Sequence, residues 1–217
     1  TNKSLQNLLE LLQSDSTISI HVFAMNHDGV YNSIFKKFNL QAENFIVSSL
    51  LSTNFTRDLR GLLLLILRTI YRIFNILHLN LINTYFKIGS KHLSNKYDCI
   101  IAFQEGEATC FSQYIQAPKK IAWVHSDIRS YLQLKNANVL NELQIYNKFT
   151  DIICVSKYTA TSFKTLFPVT KAQISSLYNI VKVETEINNS QKEGKIFQLI
   201  SVGRFDPIKR FTSIPEI

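Results

Sequence analysis

Between residues 97 and 178 the chain alternates between short apolar runs and helical stretches, and few folds accept that rhythm. The runs DCIIAF (98–103), KKIAWV (119–124), DIICV (151–155) and QISSLY (173–178) each have the length of one strand. A strand followed by a helix and then another strand comes back to the end it started from, so neighbouring strands run parallel. The expected class is α/β: a Rossmann-like parallel sheet flanked by helices. Between the runs, residues 107–116 and 139–149 read as helices, and Glu107 falls in a first turn where the helix dipole favours an acid. Ser156 is the expected N-cap of a further helix that Pro168 stops.

Parallel strands share one carboxyl edge, and open α/β sheets bind ligands there. The loops carrying Glu105, Gly106, His125, Asp127 and Ser156 are therefore expected to converge on one rim. Upstream, Leu5, Leu8, Leu9 and Leu12 recur at helical spacing, predicting an amphipathic helix over 3–14. A strand is expected at 18–24, a loop with His27 and Asp28, a short helix at 30–38 and a strand at 44–48.

Residues 57–93 form the longest patterned region. Arg57, Arg60, Arg68, Arg72, Asn75, Asn83, Lys87 and Lys91 follow a narrow polar stripe on an otherwise apolar helical pattern. Arg68 and Arg72 interrupt it, so no run reaches the roughly 18 apolar residues of a membrane span. The net charge of +8 is concentrated here, with 57–96 contributing +6. Such a face either packs on the sheet or lies along an anionic bilayer, which makes Arg68 and Arg72 the membrane-surface candidates.

Residues 182–195 (KVETEINNSQKEGK) have linker composition, and IFQLISVGRFDPIK (196–209) reads as a buried strand, a Gly-Arg turn and a Pro-led helix start. Three parts are expected: a domain over 1–181, a linker over 182–195 and the start of a second Rossmann-like domain over 196–217. Arg204 and Lys209 would occupy the rim of that second domain. A cleft between facing rims, with His and carboxylates on one wall and cations on the other, suits an anionic ligand beside a hydroxyl-bearing one.

In their order, YDCIIAFQEGEAT, KKIAWVHSD, TDIICVSKYTATSFKTLFP, LYNIV and LISVGRFDPIKRF resemble successive blocks of glycosyltransferase family 4, nearest to bacterial enzymes of capsular, exopolysaccharide and lipopolysaccharide synthesis. The resemblance spans roughly 97–211. It implies a GT-B architecture and transfer of a sugar, with retention of configuration, from a nucleotide-sugar donor to a glycan or lipid-linked acceptor. Gly203, Arg204 and Lys209 match the donor-diphosphate site, His125 the catalytic His near the transferred sugar, and Glu105, Gly106 and Asp127 the acceptor-side loops. No metal and no cofactor beyond the donor substrate is implied, and the location implied is cytoplasmic, peripheral at the inner face of the cell membrane.

The chain departs from that pattern at its ends. It opens in the helix that follows the family's first strand and glycine-rich loop, and the acidic E-x7-E element is not reached. Lys182 and Thr212 stand where Asp is common. A fragment without turnover of its own is therefore expected. The competing expectation is a non-catalytic α/β module that binds a peripheral membrane surface or a polyanion through 57–96. Nucleic acid is not an expected partner, because ordered aromatic and basic motifs are lacking. Cys99, Cys110 and Cys154 have no metal-ligand spacing; Cys99 and Cys154 are expected inside strands as small hydrophobes, reduced in a cytoplasmic protein.

Overall fold

A computed structural model describes residues 2–24, 41–42, 66, 69, 73 and 81–182. The chain divides into two units, Thr1–Lys182 and Val183–Ile217, and all described residues belong to the first. Arg68 and Arg72 lie outside the described residues, as do Gly203, Arg204 and Lys209. So do His27, Asp28, the expected helix at 30–38 and the expected strand at 44–48.

Helix α1 spans Asn2–Leu12. Strands β1 (Phe23–Ala24) and β2 (Gln41–Ala42) pair in parallel. Helix α2 is Leu81–Gly89, followed by a 3-10 turn at Lys91–Leu93. The main sheet then forms from β3 (Cys99–Ala102), β4 (Lys119–Val124), β5 (Asp151–Cys154) and β6 (Gln173–Ser176). Its order is β3-β4-β5-β6, every pair parallel, as the alternation of runs requires. Helix α3 (Glu107–Ser112) joins β3 to β4, α4 (Ile128–Lys135) and α5 (Val139–Tyr146) join β4 to β5, and α6 (Lys157–Leu166) joins β5 to β6.

Strand side chains alternate, so the even-numbered residues Ala102, Ala122, Val124, Ile152 and Cys154 share one face. All five are buried, in one core with Ile128 and Leu132 of α4, Tyr146 of α5 and Phe163 of α6. Ala102 and Ala122 are register partners, and their small side chains leave room for the large ones opposite. Three aromatics fill that room: Tyr146 meets Phe163 edge-on at 4.9 Å, and Phe163 meets Phe167 at 4.8 Å. Burying one side chain of this size contributes about 1.5–3 kcal/mol. A second cluster joins Phe86 of α2 to Phe111 of α3, rings 5.6 Å apart. Helix α1 is tied to the segment after β6 by Asn7, whose amide donates to the Ile180 carbonyl at 2.8 Å, and by the Glu10–Lys182 ion pair.

Several elements differ from expectation. The region 18–24 pairs only at Phe23–Ala24. Helix α3 stops at Ser112, where the N–H groups of Tyr114 and Ile115 turn to carbonyls three residues back. Helix α4 was not anticipated: it buries Ile128 and Leu132, and its boundaries come from caps, Asp127 at one end and left-handed Asn136 (φ 48°) at the other. Cys99 is exposed, not a buried hydrophobe, whereas Cys154 is buried and both are free thiols.

Candidate functional site

The loop after β3 begins at Phe103 and turns at Gly106 into α3. Gly106 has φ +93° and ψ −126°, backbone that disfavours any residue with a Cβ. A Cβ there would also come within 2.6 Å of the Tyr131 hydroxyl oxygen of α4. The turn is held further by Thr109, whose hydroxyl donates to the Gln104 carbonyl at 2.7 Å. This close backbone approach lets the loop carry Glu105 inward.

Glu105 is only 7% exposed, and its carboxylate reaches across to the end of β4. Oε2 accepts the backbone N–H of His125 at 2.9 Å, and Oε1 accepts the hydroxyl of Ser126. A carboxylate can accept at both oxygens at once, which is what a pair of donors on consecutive residues requires. Glu105 therefore latches the β3 loop to the β4 loop.

His125 lies in an aromatic setting. Its ring is 4.7 Å from Phe103 and 6.4 Å from Trp123, nearly parallel to the latter. Burial lowers its pKa, and the Glu105 carboxylate and the Phe103 backbone carbonyl, which hydrogen-bonds the ring, offset this only in part. The imidazole is thus held towards its neutral form. Nε2 is buried and has no partner among the described residues. A neutral imidazole carries one donor and one acceptor nitrogen, and Nε2 is the one left without a partner among the described residues. The indole N–H of Trp123, itself 5% exposed, is likewise without a partner among those residues.

Asp127 caps α4. Oδ2 accepts the Ser130 N–H at 3.3 Å and the Ser130 hydroxyl at 2.8 Å, and Oδ1 accepts the hydroxyl of Ser162 from α6. The Ser162 bond, then the Ser130 bonds, hold the Asp127 carboxyl below the usual range. Ser156 caps α6 as expected, accepting the Thr159 N–H at 3.1 Å.

The described edge therefore brings together Glu105, Gly106, His125 and Asp127, but in unequal roles. Glu105 and Gly106 shape the loop pair, Asp127 joins two helices, and His125 keeps a ring nitrogen without a partner among the described residues. Sequence reasoning missed Phe103 and Trp123, which enclose His125, and Ser126 and Ser162, whose hydroxyls donate to the Glu105 and Asp127 carboxylates. For Trp123 the signal was present: it lies on β4 two positions before His125, which continues the strand's alternation just past its end, so both side chains share a face. Among the described residues no group of three or more His, Cys, Asp and Glu side chains is placed to hold a metal, and no helix is long and apolar enough to cross a membrane. Comparison of the chain with protein-family models, with curated proteins and with solved structures finds no match.

Proposed function

We propose that the chain belongs to a retaining, GT-B glycosyltransferase that moves a sugar from a nucleotide-sugar donor to a glycan or lipid-linked acceptor in cell-surface glycan synthesis. The reading rests on five ordered sequence blocks. The observation that carries it is the joined edge of β3 and β4, where Glu105 fixes the backbone of His125 and Nε2 of that ring has no partner among the described residues. An unpaired buried polar group costs about 1–3 kcal/mol, and a sugar hydroxyl, which both donates and accepts, would relieve it in either tautomer.

By the sequence resemblance, the donor diphosphate would be held by Gly203, Arg204 and Lys209. A departing nucleoside diphosphate gathers negative charge, so fixed cations at Arg204 and Lys209 stabilise the transition state more than the ground state. Transfer would take place on the cytoplasmic face of the membrane, with Arg68 and Arg72 towards anionic lipid.

The test is nucleoside diphosphate release from a panel of nucleotide sugars, with lipid-linked acceptor present, by the product of the complete reading frame containing these residues. Release that falls at least about 100-fold in Lys209→Ala supports the reading, a loss expected for one transition-state contact. No release with any donor, or release indifferent to Lys209→Ala, contradicts it.

A further inference from the structure

We infer that the amino-terminal edge of the main sheet is a docking surface for a partner protein, taking an acidic helix across a row of lysines. This surface lies opposite the edge of Glu105 and His125 and would serve whether or not sugar is transferred. Parallel strands that share one carboxyl edge also share one amino edge, and a lysine stands at the start of each strand: Lys96 before β3, Lys119 opening β4, Lys148 before β5 and Lys171 before β6. All four are exposed. The strand order β3-β4-β5-β6 sets them in line, and neighbouring strands lie about 4.8 Å apart, so the row runs roughly 14 Å.

The segments that carry these lysines are tied to one another. The Asn95 N–H donates to the Gln116 carbonyl at 2.8 Å, the Thr150 N–H to the Lys120 carbonyl at 2.8 Å, and the Lys171 N–H to the Asn147 side chain at 3.0 Å. The row is therefore set before a partner arrives, which lowers the cost of binding. Its charge is unbalanced: residues 96–98, 119–120, 148–151 and 171–173 hold five lysines and two aspartates, Asp98 and Asp151. Asp151 is taken by Lys119 at 2.8 Å, and Lys96, Lys148 and Lys171 have no ion-pair partner among the described residues. Burial first, and then the Lys148 charge, lower the pKa of Lys120 just behind the row, so the ammonium groups here already repel one another. The nearby ends of α5 and α6 offer only about half a negative charge each, less than the excess of three.

The form of the row selects the partner. Carboxylates one turn apart on a helix are about 5–6 Å apart, so about ten residues of helix set three of them along the lysines. Asp98 and Asp151 interrupt the positive charge, which a patterned protein surface can accommodate and a uniformly anionic bilayer or duplex cannot. Stacking of nucleic-acid bases needs exposed rings, and the rings at this edge, Tyr97 and Phe149, are packed into the two hydrophobic clusters.

The test is amide NMR titration of the 217-residue chain with an alanine-rich helical peptide carrying glutamate at every fourth position, and with phosphatidylserine vesicles and duplex DNA as comparators. The peptide is expected to shift the amides of Lys96, Lys119, Lys148 and Lys171, and its glutamine counterpart to leave them in place. Lys148→Glu combined with Lys171→Glu should weaken binding at least about tenfold. Arg129→Glu combined with Lys157→Glu makes the same change of net charge at the opposite edge and should weaken it less than about threefold, as screening at physiological salt requires. All four side chains are exposed, so neither pair threatens the fold. No shift with the acidic peptide, equal weakening by the two pairs, or tighter binding of vesicles or DNA through the same lysines would each overturn the proposal.

Discussion

Removing the Glu105 carboxylate separates two accounts of the loop pair. If Glu105 is a latch, Glu105→Ala strands the His125 N–H and the Ser126 hydroxyl together, since both donate to it. Hydrogen bonds to a charged group contribute about 1.5–3 kcal/mol each, and the relief of no longer burying a carboxylate returns part of that. The net loss expected is about 2–4 kcal/mol. For a unit of this size each kcal/mol lowers Tm by about 2–4 °C. Glu105→Gln should lose only about 1 kcal/mol, because its carbonyl can keep the His125 N–H while the Ser126 hydroxyl turns to accept from the amide. Urea unfolding followed by tryptophan fluorescence reads the effect at the site itself. Trp123 is the sole tryptophan, and its ring lies 4.9 Å from Phe103 in the same loop pair. An alanine variant within about 0.5 kcal/mol of wild type, the range of an uninvolved surface change, would refute the latch. So would Glu105→Gln and Glu105→Ala of equal stability.

Three further outcomes follow from the same geometry. Gly106→Ala should cost about 2–3 kcal/mol from its backbone conformation, and Tyr131→Phe should rescue little of it by removing only the oxygen that the Cβ meets at 2.6 Å; full rescue in thermal melts would be contrary. Asp127→Ala should cost about 1–2 kcal/mol, as loss of an N-cap does, and Ser162→Ala added to it should cost little more; full additivity in urea melts would argue against the Asp127–Ser162 bond. Lys120, 7% exposed, donates to the Gln113 carbonyl at 2.8 Å, and burial lowers its pKa from 10.5 to about 8. Its charged form therefore costs the folded state about 3 kcal/mol at pH 7; between pH 8 and 10.5 the unfolded chain holds more protons, so the penalty fades as pH rises. Lys120→Met should then be more stable than wild type at pH 7 by about 1–2 kcal/mol after losing its hydrogen bond, with the difference gone by pH 10.5. A pH-independent difference in urea midpoints would contradict this.

The sheet was legible because strand-length apolar runs and intervening helices leave one parallel solution, and β4 ends where its sequence run ends, at Val124. The rim was legible for the same reason, since Glu105, His125 and Asp127 all follow strands. What each residue does there was not legible. That Glu105 reaches from one loop to the backbone of the next depends on Gly106 at φ +93°, and a turn angle leaves little trace in hydrophobic periodicity. Helix α4 escaped notice because its start is set by the Asp127 cap and its end by left-handed Asn136, while its buried residues Ile128 and Leu132 are only one turn's worth of pattern. The Asp127–Ser162 bond joins residues 35 apart, beyond the reach of any local motif.

The proposed function is sugar transfer with retention, for which His125, Arg204 and Lys209 are the residues put forward. Its most direct test follows the anomeric proton by NMR during turnover of a nucleotide sugar, with acceptor, by the product of the complete reading frame. A first-formed product with the anomeric configuration of the donor is expected, with loss of that signal in His125→Ala and Lys209→Ala. An inverted product, or a donor that stays intact with every acceptor offered, would contradict it.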